Sequence, residues 1–195
     1  MKNKLMKSLG LAFSLTAAAA LGACDQAQDT AAVTPITEAE LLDFQTAWGE
    51  GLVAISTAFA NDEDYLTIAA GVLEDLYGHE YNDGVVLFNP TITQEVVFRH
   101  DWDGAASYFI GTSSPGTVIE EDGAGFATLP WTNVNFLNDW EFIVNGELAI
   151  GMGTVEITDD TGAITTVEKT MAWQRSTDGN IRLIAHHSAV PFGAR

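Results

Sequence analysis

The chain is short of cysteine, of positive charge and of histidine, and each shortage removes a class of function. Among 195 residues there is one cysteine, Cys24, so neither a disulfide framework nor a set of cysteine metal ligands is available. Lysine and arginine together number 8 against 27 acidic residues, a formal net charge of −19. A nucleic-acid binder needs a basic footprint to displace counterions, and a polybasic membrane contact needs the same residues. Both readings are excluded. Of the four histidines, only His186 and His187 are adjacent. They fall in a strand pattern, where neighbouring side chains point to opposite faces and do not share one ion. A catalytic zinc usually has three protein ligands, so the pair does not by itself make a zinc site, and a mixed site of one histidine with carboxylates stays open. There is no nucleophile elbow of the serine hydrolase type. There is no glycine-rich phosphate loop either, since Gly151-Met152-Gly153 lies inside a strand pattern, where glycine marks close packing or a bulge. The acidity does not signal disorder, because hydrophobic residues make up 47% of the chain, enough for a core.

The N-terminus carries a targeting pattern. Lys2, Lys4 and Lys7 form a positive start. Leu9 to Ala20 is apolar but too short to span a bilayer. Leu21-Gly22-Ala23-Cys24 follows and looks like the bacterial lipobox, in which the cysteine is lipidated and becomes the first mature residue. The expected organisation is a lipoprotein signal peptide over 1–23, a flexible tether over 24–36 rich in Ala, Gln, Asp and Thr, and one domain over 37–195. Lipidation at Cys24 places the protein in a bacterial cell envelope, periplasm-facing, with the lipid as its only membrane contact.

Within the domain, helices come first. Thr37 is placed to cap a helix, with Glu38 and Glu40 in its first turn. Leu41, Phe44, Trp48, Leu52, Ile55 and Phe59 recur every three or four residues and form one apolar stripe. Asn61 to Asp64 breaks this helix and starts a second, carrying Tyr65, Ile68, Ala69, Val72, Leu73 and Leu76, with Gly78 at its end. Val85 to Phe88 and Gln94 to Phe98 read as short strands. Asp101 opens a short helix over Trp102 to Ile110, and Gly111 to Gly125 reads as a loop. From Phe126 the chain is nearly all strand. Trp131 to Phe136 is paired with Glu141 to Val144. Asn145-Gly146, Asp159 to Gly162 and Thr177 to Asn180 turn the later strands back on themselves. The fold class is α+β, a cone of N-terminal helices packed on one face of a strongly curved, mostly antiparallel sheet that encloses a pocket.

The last strand, Ile181 to Pro191, holds the strongest candidate groups. Strand alternation puts His186 and Ser188 on one face and His187 on the other. Polar groups at the end of a buried strand need partners, since leaving one unpaired costs roughly 1–3 kcal/mol. His186 and Ser188 are therefore expected to line any pocket. Trp48, Phe98, Trp131 and Phe136 read as core aromatics.

Five stretches carry a family resemblance. They are Trp48-Gly49-Glu50-Gly51-Leu52-Val53-Ala54-Ile55, Val86-Leu87-Phe88-Asn89-Pro90-Thr91, Ser107-Tyr108-Phe109, Pro130-Trp131-Thr132-Asn133-Val134 and His186-His187-Ser188. In order and spacing they resemble the iota-class carbonic anhydrases, part of a cone-shaped superfamily with nuclear transport factor 2, SnoaL-type enzymes and the association domain of calmodulin-dependent kinase II. The resemblance implies reversible hydration of carbon dioxide to bicarbonate with no metal cofactor. It implies that the hydroxyls of Thr91, Tyr108 and Ser188 hold water or bicarbonate. His186 lies on the same face as Ser188, and since a small apolar substrate suits an aromatic-lined pocket, Trp131 and Phe98 are the alternative candidates for a place beside it. The resemblance also implies a homodimer or higher homo-oligomer. The sequence departs from the family in having Ala189 where a second serine is common. Other functions compatible with the fold are a non-catalytic ligand-binding or assembly module and a SnoaL-type isomerase or hydrolase.

Overall fold

The computed structural model describes residues 34–193. The expected signal peptide, Cys24 and most of the expected tether lie outside them. The end of the tether is corrected: Ile36 is buried and donates its amide to Gly146 O, while Arg175 donates to the carbonyls of Thr34 and Pro35. Residues 34–36 are thus fastened to the domain.

Helix α1 spans Glu38–Ala60 and begins with a capping box, in which the Thr37 hydroxyl and the Glu40 carboxylate each satisfy the other residue's backbone amide. Arg175 also pairs with Glu40 at 2.9 Å and draws its pKa down to about 2. The apolar stripe is buried as expected except at Phe59, which lies at the exposed end and packs on Tyr65. Helix α2 spans Tyr65–Leu76 under an Asp64 cap. It ends because Tyr77 turns extended and bridges Leu183. Helix α3 covers Trp102–Ile110 behind its Asp101 cap, as the sequence predicts.

The sheet has six strands. These are β1 (Leu87–Asn89), β2 (Trp131–Phe136), β3 (Glu141–Asn145), β4 (Leu148–Asp159), β5 (Ile164–Arg175) and β6 (Ile181–Ala189). Their order is β1-β6-β5-β4-β2, with β3 also on β4. All pairs are antiparallel except β1 with β6. Two expectations are corrected. The strand from Trp131 pairs with Val155–Asp159 and not with Glu141–Val144, because the long β4 has room for β2 along one half and β3 along the other. The stretch from Gln94 to Phe98 is not a strand: the amides of Gln94, Glu95 and Val96 go to the Glu121 carboxylate instead of a ladder partner.

The helices cover one face of this sheet. Val155, Ile157, Val167, Met171, Trp173 and Leu183 point into the core and meet Leu41, Phe44, Trp48, Leu52 and Ile55 of α1. Burying such side chains contributes roughly 1.5–3 kcal/mol each. The opposite face leaves Ile143, Leu148, Ile150 and Met152 exposed.

Candidate active site

Strand β6 brings His186 and Ser188 to the inner face, 1% and 5% exposed, while His187 faces outward. Beside them β1 delivers Phe88, whose ring stacks on the imidazole at 5.2 Å. Asn89-Pro90 then ends the strand and hands Thr91 to Ser188, so that the two hydroxyls meet at 2.5 Å. From α3 comes Tyr108, 5% exposed and stacked on Phe126. Thr91, Tyr108, His186 and Ser188 line one cavity together with Trp48, Phe88, Phe126 and Lys169. Its free volume is about 10 Å³, room for one water-sized centre.

Lys169 is the member that sequence reasoning missed. It is 5% exposed, with Nζ 3.0 Å from His186 Nε2 and 3.3 Å from Ser188 Oγ. The signal was present: Val167, Lys169, Met171 and Trp173 share the inner face of β5, so the lysine occupies a core position. Burial pushes its pKa down to about 7. Among the described residues no carboxylate forms an ion pair with it. Its Nζ also stands 4.5 Å from the centre of the Trp48 ring.

The far side of His186 is equally occupied. Tyr77 Oη lies 2.9 Å from Nδ1 and accepts the indole N–H of Trp48 at 3.2 Å. Burial, and then the nearby Lys169, hold the imidazole pKa well below its ordinary value. His186 is neutral, and both its nitrogens are engaged. Burial also raises the Tyr108 phenol, so it stays protonated as a donor, although the backbone amides of Ile92 and Thr91 oppose the rise.

Trp131 and Phe98 do not line this cavity. Trp131 stands behind Phe126, its indole N–H donating to Phe126 O. Phe98 is 57% exposed and stacks on His100. Its expected core place is lost because Gln94 to Phe98 does not join the sheet. A second cavity of about 160 Å³ shares Tyr108 and Phe126 with the first and is bordered by Glu121 and Asp122. These two rings therefore stand between the inner cavity and the outer one. A larger groove of about 700 Å³ between α1 and β2 offers one titratable side chain, Glu50, and no convergent set. Among the described residues no group of three or more histidine, cysteine or acidic side chains is placed to hold a metal ion.

Hydroxyls and a buried lysine thus converge on one aromatic-walled cavity, and the chain as a whole matches known proteins in sequence and fold. Residues 39–190 match the family described as metal-independent carbonic anhydrase, and the chain belongs to that family. A curated metal-independent carbonic anhydrase from Nostoc sp. (strain PCC 7120 / SAG 25.82 / UTEX 2576) is 41% identical over 160 residues, covering 80% of this chain and 75% of the relative. The crystal structure of an iota-carbonic anhydrase from a cyanobacterium, complexed with bicarbonate, superposes with a TM-score of 0.72. It is 39% identical and covers 81% of this chain and 94% of that one. A nuclear transport factor 2-like superfamily protein from Salmonella enterica subsp. enterica serovar Typhimurium str. LT2 is 13% identical with a TM-score of 0.43, over 80% of this chain and 96% of its own. The chain is a carbonic anhydrase, a lyase.

Proposed function

We propose that carbon dioxide is hydrated to bicarbonate in the cavity bounded by Thr91, Tyr108, His186 and Ser188, and that hydroxyl groups do the work a zinc ion does elsewhere. The observation that carries this reading is the convergence of four polar side chains, from β6, α3 and the loop after β1, on one aromatic-walled volume. The bicarbonate complex of the cyanobacterial relative supports it.

The substrate is small and apolar, so walls of Trp48, Phe88, Phe109 and Phe126 suit it. The product is an anion whose oxygens need donors. Ser188 Oγ receives hydrogen bonds from Thr91 and Lys169, so its own proton is free to turn into the cavity. The Tyr108 phenol is a second donor. Donors fixed by packing stabilise developing charge without the reorganisation that water requires. Bicarbonate exceeds the free volume at rest, so its formation needs Tyr108 and Phe126 to yield toward the outer cavity. His186, with both nitrogens engaged, orients its neighbours and does not itself take the proton. Trp131 buttresses Phe126, and Phe98 has no place at the substrate.

The test is stopped-flow carbon dioxide hydration in the presence of a chelator. Ser188→Ala and Tyr108→Phe are each expected to lower kcat/KM by roughly 10²-fold or more while the protein stays folded. Wild-type rates in both would remove the site.

The same reading makes the protein a lipid-anchored enzyme of the bacterial envelope, attached through Cys24 and facing the periplasm. Lys2, Lys4 and Lys7, the apolar run after them and Leu21-Gly22-Ala23-Cys24 support it. It also makes the enzyme a homodimer joined through the outer sheet face. The exposed Ile143, Leu148, Ile150 and Met152 support that assignment.

A further inference from the structure

We propose that Lys169 is the base of the reaction, holding a neutral amine at rest and taking the proton released from water. The proposal rests on the hydroxyl site just described and adds the group that site lacks, a proton acceptor.

Hydrogen-bond counting carries the argument. The Trp48 indole only donates, so Tyr77 Oη accepts from it. The phenol has one proton, and the acceptor beside it is His186 Nδ1. A neutral imidazole that accepts at Nδ1 carries its proton on Nε2. That N–H points at Lys169 Nζ, 3.0 Å away. An ammonium has no lone pair to receive it, whereas an amine has one. A charged Lys169 at rest reverses the chain. Nζ then donates to Nε2, Nδ1 donates to Tyr77, and the phenol proton is left without an acceptor among the described residues, at a cost of roughly 1–3 kcal/mol. Trp48, Tyr77 and His186 therefore hold the amine neutral, as positioning residues.

The other groups around Nζ agree. Tyr108 faces it across the cavity from α3, Thr91 and Ser188 complete the inner wall, and none is anionic. Asp139, Glu141, Glu168 and His187 lie in an outer-face groove that reaches β5 at Lys169, and none of these carboxylates pairs with Nζ. The burial that lowers the pKa to about 7 places the change of charge in the working range.

In the step itself, the water oxygen bonds to the carbon of carbon dioxide as one water O–H bond breaks. One C=O π pair becomes a lone pair on the nascent bicarbonate. The freed proton goes to Ser188 Oγ, and the serine's own proton goes to Nζ, whose lone pair turns from Nε2 by rotation about Cε–Nζ. Two neutral reactants and a neutral amine become bicarbonate and an ammonium. The ammonium is formed against the face of Trp48, which attracts it. Loss of its proton to solvent restores the amine.

The experiment has two arms on the full chain. In the first, Lys169 is followed by carbon-13 NMR at Cε across pH in the unsubstituted protein. The expected result is a titration near pH 7, and an amine that titrates above pH 9 overturns the proposal. In the second, Lys169→Met is assayed for hydration. Its kcat is expected to fall about 10²–10⁴-fold with KM within a few-fold, to lose its rise with pH near 7, and to recover in part with added methylamine. A wild-type kcat and pH profile for Lys169→Met, alongside loss in Ser188→Ala, overturns the lysine and leaves the hydroxyl site standing. Wild-type rates in Ser188→Ala and Tyr108→Phe overturn the hydroxyl site itself.

Discussion

The phenol of Tyr77 sets the direction of the hydrogen bonds that end at Lys169. Replacing it with phenylalanine leaves Trp48 Nε1 and His186 Nδ1 without a partner, which costs about 1–3 kcal/mol each. It also frees Nε2 to accept from an ammonium. Tyr77→Phe is therefore expected to lower the melting temperature and to move the rise of kcat with pH to higher pH. A pH–rate profile with its midpoint unmoved contradicts this account of the chain. At this scale the sequence was partly legible. Alternation along β6 correctly separated His186 and Ser188 from His187. The family resemblance supplied Thr91 and Tyr108, which the cavity brings to Ser188. Lys169 was overlooked because a lysine in a strand is read as a solvated side chain, and only its position between Val167 and Met171 revealed burial. The Tyr77–His186 contact joins residues 109 apart in sequence, and no local pattern announces it.

At the scale of an element, the segment from Thr91 to Arg99 depends on one carboxylate. Glu121 accepts the amides of Gln94, Glu95 and Val96, each at 2.8 Å, and pairs with the buried Arg99 at 3.0 Å. These contacts, backbone amides first and then Arg99, hold its pKa down to about 2. Because the folded pKa is depressed, the latch is intact above the ordinary carboxylate pKa of 4.5 and is lost as pH falls through about 2. Glu121→Gln weakens the ion pair and part of the acceptor set, so amide exchange at residues 94–96 is expected to speed up. KM is expected to rise as Thr91 loosens. Unchanged exchange at those amides would show that the latch is not what orders the segment. This is where the sequence misled. Gln94 to Phe98 has strand composition, yet a distant acidic side chain satisfies its amides better than a sheet edge does. The helices and tight turns were legible because caps and turn residues act locally. The partners of β2 and β3 were not, because they depend on the length of β4.

For the whole molecule, the buried base is an instability that the fold carries. Lys169 has a folded pKa of about 7 against an ordinary 10.5. Between those values the unfolded chain binds the extra proton and the folded chain does not. Stability therefore rises with pH from about 7 to about 10. His186, neutral in the fold and charged when unfolded below its ordinary 6.5, acts in the same sense at lower pH. Above about 10 the buried phenols of Tyr77 and Tyr108, with raised pKa, act in the opposite sense. Lys169→Met is expected to be more stable than the unsubstituted protein at pH 7 and to lose most of this rise, as thermal unfolding across pH will record. The proposed anchor is also tested at this scale: Cys24→Ala is expected to leave the protein unlipidated by mass spectrometry and to detach it from membranes. A membrane-bound Cys24→Ala protein contradicts the anchor.

The central claim is that hydroxyls and an amine, without a metal, interconvert carbon dioxide and bicarbonate in this cavity. Oxygen-18 exchange between carbon dioxide and water, followed by membrane-inlet mass spectrometry with a chelator present, tests it most directly. The unsubstituted chain is expected to exchange at an undiminished rate after metal removal, and a Thr91→Val, Ser188→Ala double variant to fall by 10²-fold or more while still folded. Exchange that stops with the chelator, or that survives the double substitution, contradicts it.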